Sequence, residues 1–204
     1  MNPHRFCAAV DDASMLKKIV LILVVAFWAG QAHAERNDFV FNVGVGYGLN
    51  NQSVSSWEVE SRPASSSDGL VGRVKVGFMP TPVDAMFGFG QVSELNYSSQ
   101  QSNIESATLT LTGVGFSHYL NADVGSPYFT VAVALGKYRS NGGSEALDNR
   151  GHAFLLETGY EVFKHLQVSS TFMMARMADA SFYYSDDYLD VSTTSMTVNI
   201  EFKL

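Results

Sequence analysis

The sequence predicts an all-β fold: an eight-stranded antiparallel up-and-down transmembrane β-barrel. Three observations carry this reading. About eight strand-like stretches follow one another, each roughly ten residues long, the length of a tilted membrane-spanning strand. The connections between them alternate long, short, long, short, long, short, long. The final stretch, 191–204, alternates to its end, with Met196, Val198, Ile200, Phe202 and Leu204 on one face and Thr197, Asn199, Glu201 and Lys203 on the other. Such a strand has an open edge unless another strand pairs with it, and the first strand of the same chain is the economical partner.

The chain has 204 residues, suited to one domain, and a formal net charge of −7. Residues 15–34 read as a secretory signal peptide: a basic start at Lys17 and Lys18, an apolar run from Ile19 to Ala29, and an Ala32-His33-Ala34 cleavage site before Glu35. Met15 is a candidate true start, with residues 1–14 an over-extended leader. Residues 35–204 are then the barrel domain. Cys7, the only cysteine, leaves with the leader, so disulfide and thiolate-metal chemistry are not expected. The leader takes three basic and two acidic residues with it, leaving ten basic against eighteen acidic, a net charge of −8. That balance disfavours nucleic acid as a partner.

The stretches in order are these. In 39–49, Phe39, Phe41, Val43, Val45, Tyr47 and Leu49 alternate with Val40, Asn42 and three glycines; glycine weakens an ordinary strand, so a crowded barrel interior is expected to require it. A polar loop, 50–67, follows. In 70–78, Leu70, Val74, Val76 and Phe78 lie opposite Arg73 and Lys75. A compact turn spans 79–85, with Pro80 and Pro82. In 86–97, Phe87, Phe89 and Leu95 share a face opposite Glu94, with a bulge expected near 90–92. The second polar loop is 98–105. In 106–120, Leu109 and Leu111 alternate with threonines, and Gly113 is expected to shift the phase toward Val114 and Phe116. A short turn, 121–127, leads to 128–139, where Phe129, Val131, Val133 and Leu135 lie opposite Thr130, Ala132, Ala134 and Gly136. The third loop is 140–150. In 151–162, Phe154, Leu156, Tyr160 and Val162 lie opposite Glu157, Gly159 and Glu161. After a very short turn at 163–165, Leu166, Val168, Phe172 and Met174 lie opposite Gln167, Ser169 and Thr171. The fourth loop, 178–190, precedes the closing strand.

Alternation does not say which face points outward. The export signal, the loop asymmetry and the gathering of aromatics at strand ends favour an apolar outer wall. Phe39, Phe78, Phe87, Tyr119, Phe129, Phe163 and Phe202 fall near the short-turn rim; Tyr47, Tyr97, Tyr138, Tyr183 and Tyr184 fall near the other. Girdles of this kind mark both interfaces of membrane barrels. Leader, eight segments, loop alternation and the NIEFKL ending together resemble the OmpA/OmpX class of small eight-stranded outer-membrane barrels, over about residues 37–204. The resemblance implies an outer-membrane location, short periplasmic turns and a C-terminal insertion signal. Here that signal is Phe202 and Leu204, where the class usually ends in an aromatic residue.

With the apolar face outward, Arg73, Lys75, Glu94, Glu157, Glu161 and Glu201 share a narrow interior. Buried charges need partners, so an ion-pair network is expected, with Arg73 near Glu94 or Glu157. It would plug the lumen against general diffusion. No catalytic residue is proposed. The lipid A deacylases, which this chain resembles in architecture, carry a His and a Ser two residues apart on one strand; His118, His152 and His165 are each followed by no such serine. No cofactor is implied. Asp186, Asp187 and Asp190 could hold a divalent cation, but their spacing matches no EF-hand and they read as a solvated acidic loop, so no metal site is assigned. Met173, Met174 and Met177 read as lipid-facing or gap-filling. Phe182, Tyr183, Tyr184, Asp186, Asp187 and Tyr188 are the candidate external contacts. Expected partners are outer-membrane lipid and lipopolysaccharide, the barrel-insertion machinery, and an extracellular or host-surface partner for the loops. The chain is expected to act as a monomer with a structural or surface-interaction role. The alternatives are a lipid A acyl-modifying enzyme and a soluble lipocalin-like carrier.

Overall fold

A computed structural model describes residues 39–56, 62–97, 106–141, 148–179 and 189–204. They form eight strands: β1 (Val40–Ser56), β2 (Arg62–Thr81), β3 (Asp84–Tyr97), β4 (Ser106–Tyr119), β5 (Pro127–Asn141), β6 (Asp148–Phe163), β7 (Leu166–Asp179) and β8 (Leu189–Lys203). Each pairs antiparallel with its sequence neighbours, and the sheet closes as a barrel. Closure is made by β1 and β8, from Asn42 opposite Lys203 to Ser56 opposite Leu189. The last strand thus finds its partner in the first, and no sheet edge is left open.

The strands are longer than the alternation suggested, at 14 to 20 residues each. Residues 50–56 and 62–67, read from sequence as loop, continue β1 and β2, with a register irregularity between Gln52 and Val54. Parts of 140–150 and 178–190 likewise belong to β5, β6, β7 and β8. A bilayer needs only about ten residues of tilted strand, so the barrel continues beyond the apolar belt on its long-loop side. There the wall turns polar, and the contrast that marks a strand in sequence fades.

The short turns are built locally. Between β2 and β3 only Pro82 and Val83 intervene. Thr81 Oγ1 accepts from the backbone N–H of Val83 at 3.3 Å and of Asp84 at 3.0 Å, and donates to Asp84 Oδ2 at 2.6 Å. The β4–β5 turn needs Gly125, whose φ of 85° lies where a side chain is strained. Lys164 and His165 join β6 to β7.

The outer wall is apolar. Val45, Leu70, Val74, Val76, Val114, Val131, Val133, Leu156, Val168, Val198 and Ile200 all stand exposed on it. Two readings of phase are corrected. In β3 the alternation is continuous, with no bulge at 90–92; Phe87, Phe89 and Leu95 point inward and Glu94 points outward. In β4 Gly113 shifts nothing: Ala107, Leu109, Leu111, Ser117 and Tyr119 face inward along one unbroken phase. Phe87, Tyr97, Tyr119 and Tyr138 are interior residues and leave the proposed girdles. Tyr183 and Tyr184 lie outside the described residues.

The interior has two halves. Toward the long loops on the β3–β7 side it is a dry core including Phe89, Leu95, Leu109, Leu111, Leu155 and Met177. Toward the short turns it is largely polar, with a small apolar cluster of Val40, Met79, Ala85, Tyr119 and Tyr128 at the rim. Crowding explains the interior glycines. A Cβ on Gly46 would lie 2.6 Å from the Val198 carbonyl oxygen, and one on Gly136 would lie 2.1 Å from Met177 Cε. Met177 and Met173 are the gap-fillers, whereas Met174 faces lipid.

Candidate functional site

The most elaborate side-chain arrangement lies in the polar half of the lumen. Arg73 and Lys75 project inward from β2, two residues apart and therefore on one face. Glu157 comes from β6, four strands away around an eight-strand ring, and Glu201 from β8. Arg73 Nη1 forms an ion pair with Glu157 Oε2 and lies 3.5 Å from Glu201 Oε1. Lys75 Nζ lies 2.8 Å from Glu157 Oε1 and 2.9 Å from Glu201 Oε2. Two cations and two anions thus neutralise one another across the full width of the barrel. All four are nearly inaccessible to solvent, where an unpaired charge would be costly.

Neutral groups complete the coordination. Arg73 Nε donates to Gln91 Oε1 at 2.9 Å, and Arg73 Nη2 to Thr171 Oγ1 at 3.3 Å. Glu157 accepts from Thr171 at 2.9 Å and from the Tyr128 hydroxyl at 3.2 Å. Asn42 Nδ2 donates to Glu201 Oε2 at 3.3 Å. Beside the network lies a cavity of about 10 Å³, lined by Arg73, Lys75, Phe87, Phe89 and Glu157 among others. That is room for one water at most.

A second pair lies nearer the short-turn rim. Lys203 Nζ is 3.3 Å from Glu161 Oε1 and 5.2 Å from the centre of the Tyr119 ring. Gln167 Nε2 donates to the Tyr119 hydroxyl at 2.8 Å.

Of the interior charges expected from sequence, the structure brings Arg73, Lys75, Glu157 and Glu201 together and places Glu161 in a separate pair. Glu94 is excluded, because β3 keeps one phase and turns it out to the exposed wall. Sequence reasoning missed Lys203 as a member of the interior, although it stands two residues from Glu201 on the same face. It also missed Gln91, Tyr128 and Thr171, since neutral partners carry no charge signal. The proposed external contacts Phe182, Tyr183, Tyr184, Asp186, Asp187 and Tyr188 lie outside the described residues. Phe202 is half-buried at the end of β8, beside Leu204.

The histidines make no nucleophilic site among the described residues. His118 Nδ1 lies 2.8 Å from Asp84 Oδ1 on the outer wall at the short-turn rim, with its ring against Phe129 at 5.3 Å. The neighbouring Ser117 points inward, to Thr130 at 2.6 Å. His165 Nδ1 meets the Lys203 carbonyl at 2.9 Å, and His152 stands exposed on β6. Among the described residues no cluster of His, Cys, Asp and Glu is arranged to hold a metal ion. Beyond the belt on the long-loop side, Asp148 is held below the usual carboxylate range, chiefly by its hydrogen bond from Lys137.

No protein-family model matches the chain. No curated protein matches it either. Solved structures do. Neisserial surface protein A superposes with a TM-score of 0.50 at 12% identity, over 79% of this chain and 97% of that one. The attachment invasion locus protein Ail of Yersinia pestis gives 0.49 at 10% identity, over 80% and 99%. Outer membrane protein OprG from Pseudomonas aeruginosa gives 0.47 at 10% identity, over 82% and 97%. At these identities the likeness speaks to fold alone. A closed antiparallel barrel with an apolar outer wall is itself the outer-membrane architecture, since only closed barrels satisfy a β backbone in lipid. The chain has the fold of the small eight-stranded outer-membrane β-barrels, and no subfamily among them stands out.

Proposed function

We propose that this protein works at the surface of the outer membrane and not through its lumen. The observation that carries the reading is the interior. The Arg73–Glu157 pair spans opposite walls, an apolar core fills the β3–β7 side toward the long loops, and the cavity between them holds about 10 Å³. On this reading a solute has no path through the lumen, and the task falls to what the barrel displays. The strands that rise beyond the belt carry four long connections, around 57–61, 98–105, 142–147 and 180–188. Their proposed role is envelope integrity or adhesion, with Phe182, Tyr183, Tyr184, Asp186, Asp187 and Tyr188 as contact residues toward an extracellular or host-surface partner. Tyrosine and other aromatics favour such interfaces.

The proposal includes an export leader at 15–34, release before Glu35, insertion guided by Phe202 and Leu204, and a monomeric barrel. It includes no chemistry: the His118–Asp84 contact ends on Thr81, and among the described residues no serine joins it. The soluble lipocalin-like carrier is set aside, because the wall is apolar outside and the lumen is filled.

The test is liposome swelling with the purified barrel and small sugars, beside removal of the external loops in the producing cell. The expected result is no swelling above protein-free liposomes, and loss of surface attachment with an intact barrel when loops are removed. Swelling at porin-like rates would overturn the reading.

A further inference from the structure

We propose a binding site for an ethanolamine phospholipid on the outer wall of β2 to β6, with an acyl chain in an apolar groove and the ammonium on the Asp84–His118 pair. The site lies toward the short turns. It goes beyond the surface reading and needs only the apolar wall in lipid.

The groove comes from the register. Val76, Gly88, Val114, Val133 and Phe154 stand opposite one another across five adjacent strands and form one outward row. Phe78, Met86, Phe116 and Val131 form the next outward row toward the short turns. Between the rows lie Gly77, Gly115 and Ala132, and the groove along them has a volume of about 550 Å³. Four interstrand steps of about 4.8 Å make it roughly 19 Å long. Half of a hydrocarbon core about 30 Å thick is roughly 15 Å, so the groove has the length of an acyl chain.

Gly88 keeps the groove open. A Cβ there would meet only the Gly113 and Val76 carbonyl oxygens, at 3.8 and 3.9 Å, which are ordinary contact distances. The backbone at Gly88 has no positive φ. Neither crowding among the described residues nor backbone conformation calls for glycine at this position, in contrast to Gly46 and Gly136. What the missing side chain leaves is room on the lipid side.

The polar end follows from the same register. One row further toward the short turns, Asp84 stands opposite His118, and His118 opposite Phe129. Asp84 is two residues from Met86, and His118 two from Phe116, on the same face. The pair therefore lies about 7 Å from the nearer bank of the groove. An ionised carboxylate only accepts, so the 2.8 Å contact carries its hydrogen on His118 Nδ1. In the neutral ring Nε2 is then an acceptor. Asp84 receives one hydrogen bond on Oδ1 from His118 and one on Oδ2 from Thr81, out of about four lone-pair positions. Both side chains stay open to the outside, Asp84 at 26% and His118 at 36% exposure. The pair presents acceptors alone, at the rim of the apolar wall.

A primary ammonium carries three donors and a positive charge, and it matches this set. A trimethylated ammonium has the charge without the donors. A glycerol headgroup has hydroxyl donors without the cation. Short turns face the periplasm in barrels of this kind, so the leaflet at this rim is the phospholipid one. A chain in the groove and an ammonium at the rim then belong to one molecule, an ethanolamine phospholipid.

The test is native mass spectrometry of the mature barrel released from detergent, with phosphatidylethanolamine, phosphatidylcholine and phosphatidylglycerol of identical acyl chains. The expected result is an ethanolamine-lipid adduct that survives gas-phase activation, with the choline and glycerol lipids retained roughly tenfold less for want of the charge-assisted hydrogen bonds. Asp84→Ala with His118→Ala should abolish that preference. Gly88→Leu, which fills the groove, should lower retention of phosphatidylethanolamine, while Gly72→Leu leaves it at the wild-type level. Gly72 faces outward on β2 away from the groove, and a Cβ there would meet nothing within 4 Å. Wild-type boiled and unboiled gel mobility shows that the variants fold, and the comparison of lipids on the wild type needs no variant. Equal retention of the three lipids by the wild type would overturn the proposal, as would unchanged retention by folded Gly88→Leu. Liposome swelling reads the lumen separately, so failure here leaves the surface reading standing and failure there leaves this site standing.

Discussion

Arg73 is the residue on which most of the lumen depends. It meets Glu157, Glu201, Gln91 and Thr171 at once. Replacing it with Ala leaves two buried carboxylates facing Lys75 alone. Breaking a buried ion pair in this way costs about 3–5 kcal/mol. Arg73→Ala should lower the denaturant midpoint of the folded barrel by that equivalent, read by boiled and unboiled gel mobility across a urea series. Unchanged stability would sink the network. Glu94→Gln should change the midpoint by no more than roughly 0.5 kcal/mol, as expected of an exposed substitution. The same pair of residues shows what the sequence could and could not say. Arg73 was legible as interior because it stands between apolar neighbours in a clean period of two. Glu94 was misplaced because β3 has apolar residues on its inner face, and charge alone was taken as the sign of the inside.

At the scale of the strand, period-two alternation works where the outer wall crosses lipid and the inner face is small or polar. β1, β2, β5, β6, β7 and β8 meet that condition and were read in the right phase. β3 and β4 do not. Their inner faces build the dry core, with Phe87, Phe89, Leu95, Leu109 and Leu111, while Thr110 and Thr112 face outward. Strand ends escaped the sequence reading for a related reason. Beyond the belt the wall is polar, as at Asn51, Ser66 and Ser192, and polar residues there look like loop. The closing strand offers a direct test of face. Val198 is exposed on the lipid side of β8. Val198→Arg should destabilise the barrel by about 2–4 kcal/mol, the cost of a cation at the bilayer midplane. The check is refolding into lipid vesicles followed by denaturant titration. A loss below about 0.5 kcal/mol would mean that this face is in water.

For the whole molecule, closure and filling are one design. Eight strands leave an interior that side chains can just fill, and here they do so with an ionic layer on one side and an apolar core on the other. The fold class, the strand count and the β1–β8 closure were legible because each follows from a periodic signal repeated along the chain. The partners within the lumen were only partly legible. A contact such as Arg73 with Glu157 depends on which strands stand opposite around the ring, and that follows from closure. Neutral partners such as Gln91 and Tyr128 have no mark in the sequence at all.

The claim on which everything else stands is that the apolar wall faces lipid and that the strands rise out of it. Single spin labels on the outward face of β5, at positions 131, 133, 135, 137 and 139 in a Cys7→Ser background, test it most directly after refolding into lipid vesicles. Every one of these side chains points outward, so the labels need no space inside the barrel. The account predicts that labels at 131, 133 and 135 collide with dissolved oxygen and are shielded from a water-soluble nickel reagent. At 139 the order reverses, with 137 at the crossing. Nickel access equal at all five positions, or no access to either reagent at 131 and 133, would contradict it.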